Sequence, residues 1–123
     1  WINGTALHPW PQVLSLVDWL RKKGIITVVL SNVVRPVSTM LRREGLYNEF
    51  DIVVLSDEVG LVKPDSAIYR LALDKLGLRA DECIYIDDLP KNLTPAAELG
   101  MAVVLALDGP DKIVFDVESL LLG

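Results

Sequence analysis

The sequence has few of the features that mark several large classes of protein. Its 123 residues contain one cysteine, Cys83, so no disulfide can form within the chain, and a cytoplasmic setting is expected. No apolar run approaches the roughly 20 residues that a membrane-spanning helix needs. The net charge is -5, whereas nucleic acids and anionic membranes attract positive surfaces. We therefore expect neither a nucleic-acid partner nor a membrane.

The composition that remains is that of one globular domain. Apolar residues make up 51% of the chain, which is enough to build a hydrophobic core. The length fits one domain, and neither a repeat nor a linker divides residues 1–123. We therefore predict a single core domain over residues 1–123.

Helix-like and strand-like segments alternate along this domain. Apolar, β-branched runs of strand length lie at residues 25–30, 51–55, 83–86 and 101–105. Segments with apolar residues at helical spacing lie at residues 13–23, 36–44, 66–76 and 90–99. From residue 108 we expect a loop and a short apolar tail, residues 117–122. The alternation predicts an α/β fold, a Rossmann-like and mostly parallel sheet with helices on both faces.

Polar residues stand where three of these strands end or are followed by a loop. Ser31 and Asn32 end the first strand, Lys63 follows the second, and Asp87 and Asp88 end the third. Ligands of parallel sheets bind at the carboxyl ends of the strands. A hydroxyl and an ammonium group suit an anionic oxygen, and adjacent carboxylates suit Mg²⁺. The set therefore predicts a site for an anionic substrate and a divalent cation.

Each of these residues also has a simpler structural interpretation. Ser31 and Asn32 could form a turn, and Lys63 could be a solvated loop lysine. Asp87 and Asp88 could cap the helix that follows them. Two like charges at the end of a buried strand repel each other, however, and a cation relieves that repulsion. This argument favours the metal interpretation of the acidic pair.

Taken in order, these residues resemble the haloacid dehalogenase (HAD) superfamily of hydrolases. VVLSN fits its second motif, a Ser or Thr at a strand end. SDEVGLVKPDSAIYRLALDKLG is similar to its third motif, a lysine, and CIYIDDLPKNLTPAAELGM to its fourth, an acidic pair. The resemblance runs from about residue 11 to residue 105. The DDLPKNLTPA form is most similar to the branch that contains haloacid dehalogenases and the phosphatase domain of bifunctional epoxide hydrolases.

The resemblance implies a Mg²⁺-dependent phosphatase that acts on a small phosphorylated molecule. Ser31 would bind the transferring phosphoryl group, and Asn32 would support it. Lys63 would stabilise the nucleophile and the charge of the phosphoryl group. On this basis Ser31 and Lys63 are the expected catalytic residues.

The resemblance also assigns a metal site to the end of the third strand. Asp88 would ligate Mg²⁺, and Asp87 would serve as a further ligand or as a support for the first. Asn92 occupies a position where members of the family carry a polar residue that holds the site together. We therefore expect a substrate-binding set of Ser31, Asn32, Lys63 and Asn92.

The first motif of the family, Asp-x-Asp, has no match in the sequence. Its first aspartate attacks phosphorus, and its second acts as general acid and base. WINGT at residues 1–5 echoes the Asp-x-Asp-Gly-Thr form, but Trp1 and Asn3 cannot replace carboxylates, and we take the echo as a coincidence. The spacing from Trp1 to Ser31 fits the exit from a helical cap. We therefore expect an N-terminally truncated core that is inactive alone, with its first strand and cap missing.

The missing strand has a structural consequence. In the family, the first strand lies between the strands that end at Ser31 and at Asp87. Without it, two buried strands expose unpaired backbone edges, which is costly and favours association. We expect rearranged pairing, strand exchange in a homodimer, or pairing with the rest of the same polypeptide.

Two other functions stay open at this point. A non-catalytic HAD-like module would use the surviving site for binding or assembly, and its natural reading frame would contain no Asp-x-Asp. A 2-haloacid dehalogenase would act without a metal ion. The acidic pair disfavours the dehalogenase, because the resemblance associates such a pair with metal-dependent members.

Overall fold

A computed structural model describes residues 11–45, 47–106 and 109–122 of the chain. The chain divides into two compact units, Trp1–Lys63 and Pro64–Gly123. The prediction of one domain over residues 1–123 stays a prediction, and each unit is described by itself. The WINGT segment lies outside the described residues.

The first unit is built around one pair of parallel strands. Its elements are α1 (Pro11–Lys22), β1 (Val28–Ser31), α2 (Val37–Arg43), β2 (Ile52–Leu55) and the short α3 (Ser56–Val59). Ser31 lies opposite Leu55 in the β1–β2 register. Apolar side chains from both strands and from the segments after them form the core cluster Val29, Val33, Leu41, Tyr47 and Leu55. The carboxyl ends of both strands therefore lie together at one edge of this pair.

The segment after β2 turns sharply at a glycine. Gly60 follows α3 with φ 73°, a left-handed conformation that favours glycine, and its N–H donates to the Ser56 carbonyl oxygen at 2.9 Å. Residues 61–65 then belong to no helix or strand. This irregular segment carries Lys63, the predicted lysine of the site.

The second unit has a parallel strand pair of its own. Its elements are α4 (Ser66–Leu76), a 3-10 turn (Ala80–Glu82), β3 (Ile84–Asp87), α5 (Pro90–Leu99), β4 (Ala102–Leu105) and α6 (Pro110–Leu122). Asp87 lies opposite Leu105 in the β3–β4 register. Asp87 is the last residue of β3, and it is buried.

The α/β class with parallel strands is confirmed, and the structure differs from the prediction in two places. Among the described residues, four strands form two two-stranded parallel sheets, β1–β2 and β3–β4. The first strand begins at Val28 and not at the predicted residue 25. Ile25 and Ile26 lie exposed between α1 and β1. The expected loop and apolar tail after residue 108 include a helix, α6, in which Ile113 and Val117 are buried one turn apart.

None of the helices in the described residues combines the length and the apolar character that crossing a bilayer requires.

The start of β1 is tied to the start of β2 by a carboxylate, which yields a testable prediction. Asp51 accepts hydrogen bonds from the Thr27 N–H at 2.8 Å, the Thr27 hydroxyl at 3.1 Å and Arg21 Nε at 3.1 Å. The Thr27 N–H first, with the Thr27 hydroxyl and Arg21, lowers the pKa of Asp51. Replacing Asp51 by Asn weakens these contacts and should lower the free energy of unfolding at pH 7. The loss should be only about 1 kcal/mol, because the carboxylate is partly exposed.

The pH dependence follows from the direction of this pKa shift. A carboxyl group with a lowered folded-state pKa stabilises the fold above its ordinary pKa of about 4, and the contribution is lost as the pH falls through the folded-state value. Urea unfolding should therefore separate the two proteins at pH 7 and bring them together near pH 2. Tryptophan fluorescence suits this measurement, because all three tryptophans lie in residues 1–63. Asp18→Asn, at an exposed i,i+4 pair with Lys22, is the control and should change little; an equal loss in both variants would contradict the prediction.

Candidate active site

Ser31 ends β1 as a fully buried polar residue. Its side chain is 0% exposed, and its Oγ has no hydrogen-bond partner within the part of the chain that the structure describes. A buried hydroxyl without a partner costs free energy, and native proteins usually avoid it. The geometry therefore fits a hydroxyl that donates to an oxygen of a bound ligand.

Lys63 reaches back to the same strand end. Its side chain is largely buried, with the residue 8% exposed, and Nζ donates to the Leu30 carbonyl oxygen at 3.0 Å. Leu30 directly precedes Ser31 in β1. The structure thus brings an ammonium group to the strand end that carries the buried hydroxyl.

Asn32 contacts the lysine segment through both polar atoms of its side chain. Its Nδ2 donates to the Lys63 carbonyl oxygen at 3.0 Å, and its Oδ1 accepts from the Lys63 N–H at 2.9 Å. The two bonds join residues that are 31 positions apart. The predicted contact of Asn32 with a phosphoryl group stays a prediction.

Ser56 is a residue of this region that the sequence analysis did not single out. It opens α3, and its hydroxyl accepts from the Val33 N–H at 2.9 Å and donates to the Val33 carbonyl oxygen at 2.9 Å. The loop after β1 is therefore held at Val33 as well as at Asn32. A serine directly after an apolar strand was the only signal in the sequence.

An open cleft borders these residues in the first unit. Its volume is about 320 Å³. Most of its wall is formed by valine side chains, and its lining residues are Asn32, Val33, Val34, Val37, Ser56 and Val62. The cleft therefore joins an apolar wall to the polar end of β1.

The second unit places Asp87 at the end of β3 among three donors. Its Oδ2 accepts from the Tyr85 hydroxyl at 2.6 Å and from Asn92 Nδ2 at 3.3 Å, and its Oδ1 accepts from the Leu89 N–H at 3.0 Å. The residue is 1% exposed. Charge-assisted hydrogen bonds of this kind stabilise a buried carboxylate and fix its orientation.

Asp88 follows as a half-buried residue, and the pair offers hard oxygen ligands of the kind that Mg²⁺ prefers. Within the described ranges, no group of three or more His, Cys, Asp and Glu side chains is arranged to hold a metal ion. Mg²⁺ usually takes only one or two carboxylates from a protein and fills its other positions with water and substrate oxygens. The acidic pair therefore fits part of a magnesium site.

Two tyrosines support the acidic pair, and neither was predicted. Tyr69 donates to the Asn92 carbonyl oxygen at 2.7 Å, and its ring meets the ring of Tyr85 edge-on at 5.3 Å. Burial raises the pKa of Tyr69 to about 12, and burial with the bond to Asp87 raises the pKa of Tyr85 well above its ordinary range. Both hydroxyls therefore keep their protons at neutral pH and act as donors.

Tyr85 could have been found from the strand period. Alternate residues of a strand share a face, so Tyr85 and Asp87 lie on the same side of β3. Asn92, which was predicted, is 2% exposed and lies against the Asp87 carboxylate, and its Oδ1 has no partner among the described residues.

The predicted residues thus form two groups, one in each unit. Within the first unit the structure brings together three of them, Ser31, Asn32 and Lys63. Within the second unit it brings together the other three, Asp87, Asp88 and Asn92.

Comparison with known proteins gives the family of this chain. The family described as haloacid dehalogenase-like hydrolase matches residues 2–100. Glyceraldehyde 3-phosphate phosphatase of Methanocaldococcus jannaschii is 33% identical over 95% of this chain and 52% of its own length. Bifunctional epoxide hydrolase 2 of Rattus norvegicus is 34% identical over 78% of this chain and 18% of its own length.

The fold of this chain also occurs among solved structures. An uncharacterised protein from Corynebacterium glutamicum superposes with a TM-score of 0.82 at 27% identity, over 96% of this chain and 90% of that one. The chain spans about half of the phosphatase and less than a fifth of the epoxide hydrolase. The match over residues 2–100 carries both predicted groups of site residues. The chain belongs to the haloacid dehalogenase-like hydrolase family.

Proposed function

We propose that this hydrolase chain carries the phosphoryl-binding and metal-binding residues of a Mg²⁺-dependent phosphatase that acts on a small phosphorylated metabolite. The observation that carries the proposal is the buried Ser31 hydroxyl, which has no partner among the described residues. The relatives named above include a glyceraldehyde 3-phosphate phosphatase.

The first unit would bind the phosphoryl group. The Ser31 hydroxyl donates a hydrogen bond to one phosphoryl oxygen, and the Lys63 ammonium group offsets the negative charge that grows in the transition state. Burial of both groups excludes water and strengthens these interactions. The valine-lined cleft beside Asn32 would take the organic part of the metabolite.

The second unit would hold the metal ion. Asp88 would act as the carboxylate ligand, and Asp87, which accepts hydrogen bonds from Tyr85, Leu89 and Asn92, would fix the adjoining end of β3. Bound Mg²⁺ would supply positive charge to the phosphoryl oxygens. Asn92 keeps the Asp87 carboxylate in place. We assign both groups to the same reaction on the strength of family membership.

We also propose that the 123-residue chain alone does not hydrolyse phosphate esters. No Asp-x-Asp occurs in its sequence, so the chain offers no match to the residues that attack phosphorus and transfer the proton in the family it resembles. We propose that the attacking carboxylate comes from polypeptide outside this sequence. β1 pairs only with β2 and β3 only with β4 in the described residues, which supports association through a strand edge, in a homodimer or otherwise.

A second candidate function rests on the same missing motif. A non-catalytic HAD-like module would bind a phosphorylated molecule without hydrolysing it. The natural reading frame around this sequence distinguishes the two, because an Asp-x-Asp after an apolar strand belongs to the enzyme only. The cytoplasmic setting and the lack of nucleic-acid and membrane partners stay predictions in both cases.

Phosphate binding by the chain tests the first part of the proposal. Inorganic phosphate, titrated in the presence of Mg²⁺ and followed by calorimetry, should bind to the 123-residue chain. Ser31→Ala and Lys63→Met should each weaken the affinity about tenfold or more, since each removes a charge-assisted contact. Ser15→Ala, at an exposed position of α1, is the matched control. Equal affinity in all four proteins would sink the assignment.

Turnover tests the second part. With p-nitrophenyl phosphate and Mg²⁺, the 123-residue chain should release no product above the rate of Lys63→Met. The natural polypeptide that carries an upstream Asp-x-Asp should hydrolyse the ester, and replacing Asp88 by Asn should remove most of that activity. Hydrolysis by the short chain that depends on Lys63 would show that the proposed source of the nucleophile is wrong.

The support of the acidic pair by Tyr85 yields a further prediction. Tyr85→Phe removes the hydroxyl that donates to Asp87 Oδ2, and the affinity for Mg²⁺ should fall roughly threefold to tenfold. Titration of Mg²⁺ by calorimetry measures this change. Tyr47→Phe is the matched control, because the buried Tyr47 hydroxyl has no hydrogen-bond partner among the described residues of the first unit. Unchanged affinity in Tyr85→Phe would remove the tyrosine from the metal site.

A further inference from the structure

The bond between Asn32 and Lys63 has the form of a two-point clamp. One side-chain amide satisfies both the N–H and the carbonyl oxygen of a single residue, at 2.9 and 3.0 Å. This is the pattern by which a neighbouring backbone would pair with that residue. Asn32 thus does for Lys63 what a strand neighbour does for a residue inside a sheet.

Lys63 needs such a clamp because of where it lies. Residues 61–65 belong to no helix or strand, so no ladder of backbone hydrogen bonds fixes their course. Pro64 follows directly, and a proline disfavours the helical conformation in the residue before it. The main chain at Lys63 therefore bonds across to the end of β1 instead of starting a helix.

The lysine side chain is anchored at the same strand end. Nζ donates to the Leu30 carbonyl oxygen at 3.0 Å, two residues before the asparagine that holds the backbone. A lysine side chain loses much conformational freedom when its ammonium group is fixed. Fixing the backbone as well lowers the entropy that remains to be lost when the group meets a ligand.

We propose that Asn32 is a positioning residue, which clamps the main chain of Lys63 and so holds its ammonium group beside Ser31. The catalytic importance of this positioning rests on the proposed function, because that function assigns the Lys63 charge to the phosphoryl group. The predicted contact of Asn32 with substrate becomes secondary, because one amide N–H and the amide oxygen are already engaged with Lys63. The role of Asn32 is exerted through the lysine.

Two measurements on the 123-residue chain read the clamp directly. Hydrogen exchange of the Lys63 amide, followed by NMR, reports the bond to Asn32 Oδ1. Acetylation of Lys63 by acetic anhydride, followed by mass spectrometry, reports access to Nζ, with the exposed Lys75 and Lys91 as references in the same molecule. Neither readout requires turnover or a bound ligand.

The expected results differ between two substitutions. Asn32→Ala removes both bonds and should raise the exchange and acetylation rates at Lys63 about tenfold or more. Asn32→Asp keeps the acceptor for the Lys63 N–H and replaces the donor by a second acceptor, so exchange should rise less than in Asn32→Ala. Asn48→Ala, at an exposed position of the same unit, should leave both rates unchanged.

The exchange of the β1–β2 amides separates positioning from unfolding. In both Asn32 variants these amides should keep their protection while Lys63 loses its own. Unchanged rates at Lys63 would overturn the proposal. If Asn32→Ala unfolds the first unit, Asn32→Asp decides, because it loses the bond to the Lys63 carbonyl oxygen, and an acetylation rate of Lys63 equal to that of the parent chain overturns the proposal.

Phosphate affinity separates this proposal from the proposed function. Under both proposals, Asn32→Asp should weaken the binding of inorganic phosphate severalfold while Ser31 is intact. If Lys63 is acetylated faster in the Asn32 variants but the parent chain binds no phosphate, the positioning role of Asn32 stands and the proposed phosphatase function fails. If the parent chain binds phosphate tightly but the Asn32 variants show no change at Lys63, the proposed function stands and the positioning role fails.

Discussion

Parallel pairing of two short strands is the constraint on which the rest of each unit depends. Parallel strands leave a sheet at the same edge, so the segments after β1 and after β2 emerge side by side. Asn32 can therefore meet Lys63 although 31 positions separate them, and Ser56 can meet Val33. In the second unit the β3–β4 pair fixes the end of β3, from which the Asp87 carboxylate meets the N–H of Leu89 just before α5.

The polar groups at the two strand ends differ in how they are satisfied. Asp87 is buried and accepts three hydrogen bonds from within its own unit. The Ser31 hydroxyl is equally buried, and the described residues provide it with no partner. A satisfied group has little to gain from a ligand, whereas an unsatisfied donor gains a hydrogen bond. This difference separates a supporting residue from one suited to contact a phosphoryl oxygen.

The sequence predicted the strands better than the side chains that support their ends. Apolar runs are local signals, so β1–β4 could be predicted directly, and the polar residues after β1 and β3 could be named as candidates for a site. In the sequence Tyr85 could not be told from the other apolar residues of its strand. The function of its hydroxyl is visible only in the structure, where it donates to Asp87. Ile25 and Ile26 extended the predicted strand because exposure cannot be read from apolarity. The helix α6 was missed, since Ile113 and Val117 alone are a weak periodic signal.

On the proposed function, the candidate site residues of this chain would bind a phosphate group rather than attack it. A hydroxyl, a lysine and an acidic pair stabilise charge, and the energy of such contacts can be realised without any covalent step. A chain with these groups and no Asp-x-Asp should therefore bind a phosphorylated molecule whether the natural polypeptide is an enzyme or a binding module. Binding to the isolated chain tests the site, and only the nucleophile separates the two functions. The precise fixing of Lys63 then matters, because a preorganised charge is worth more to a transition state than to a ground state.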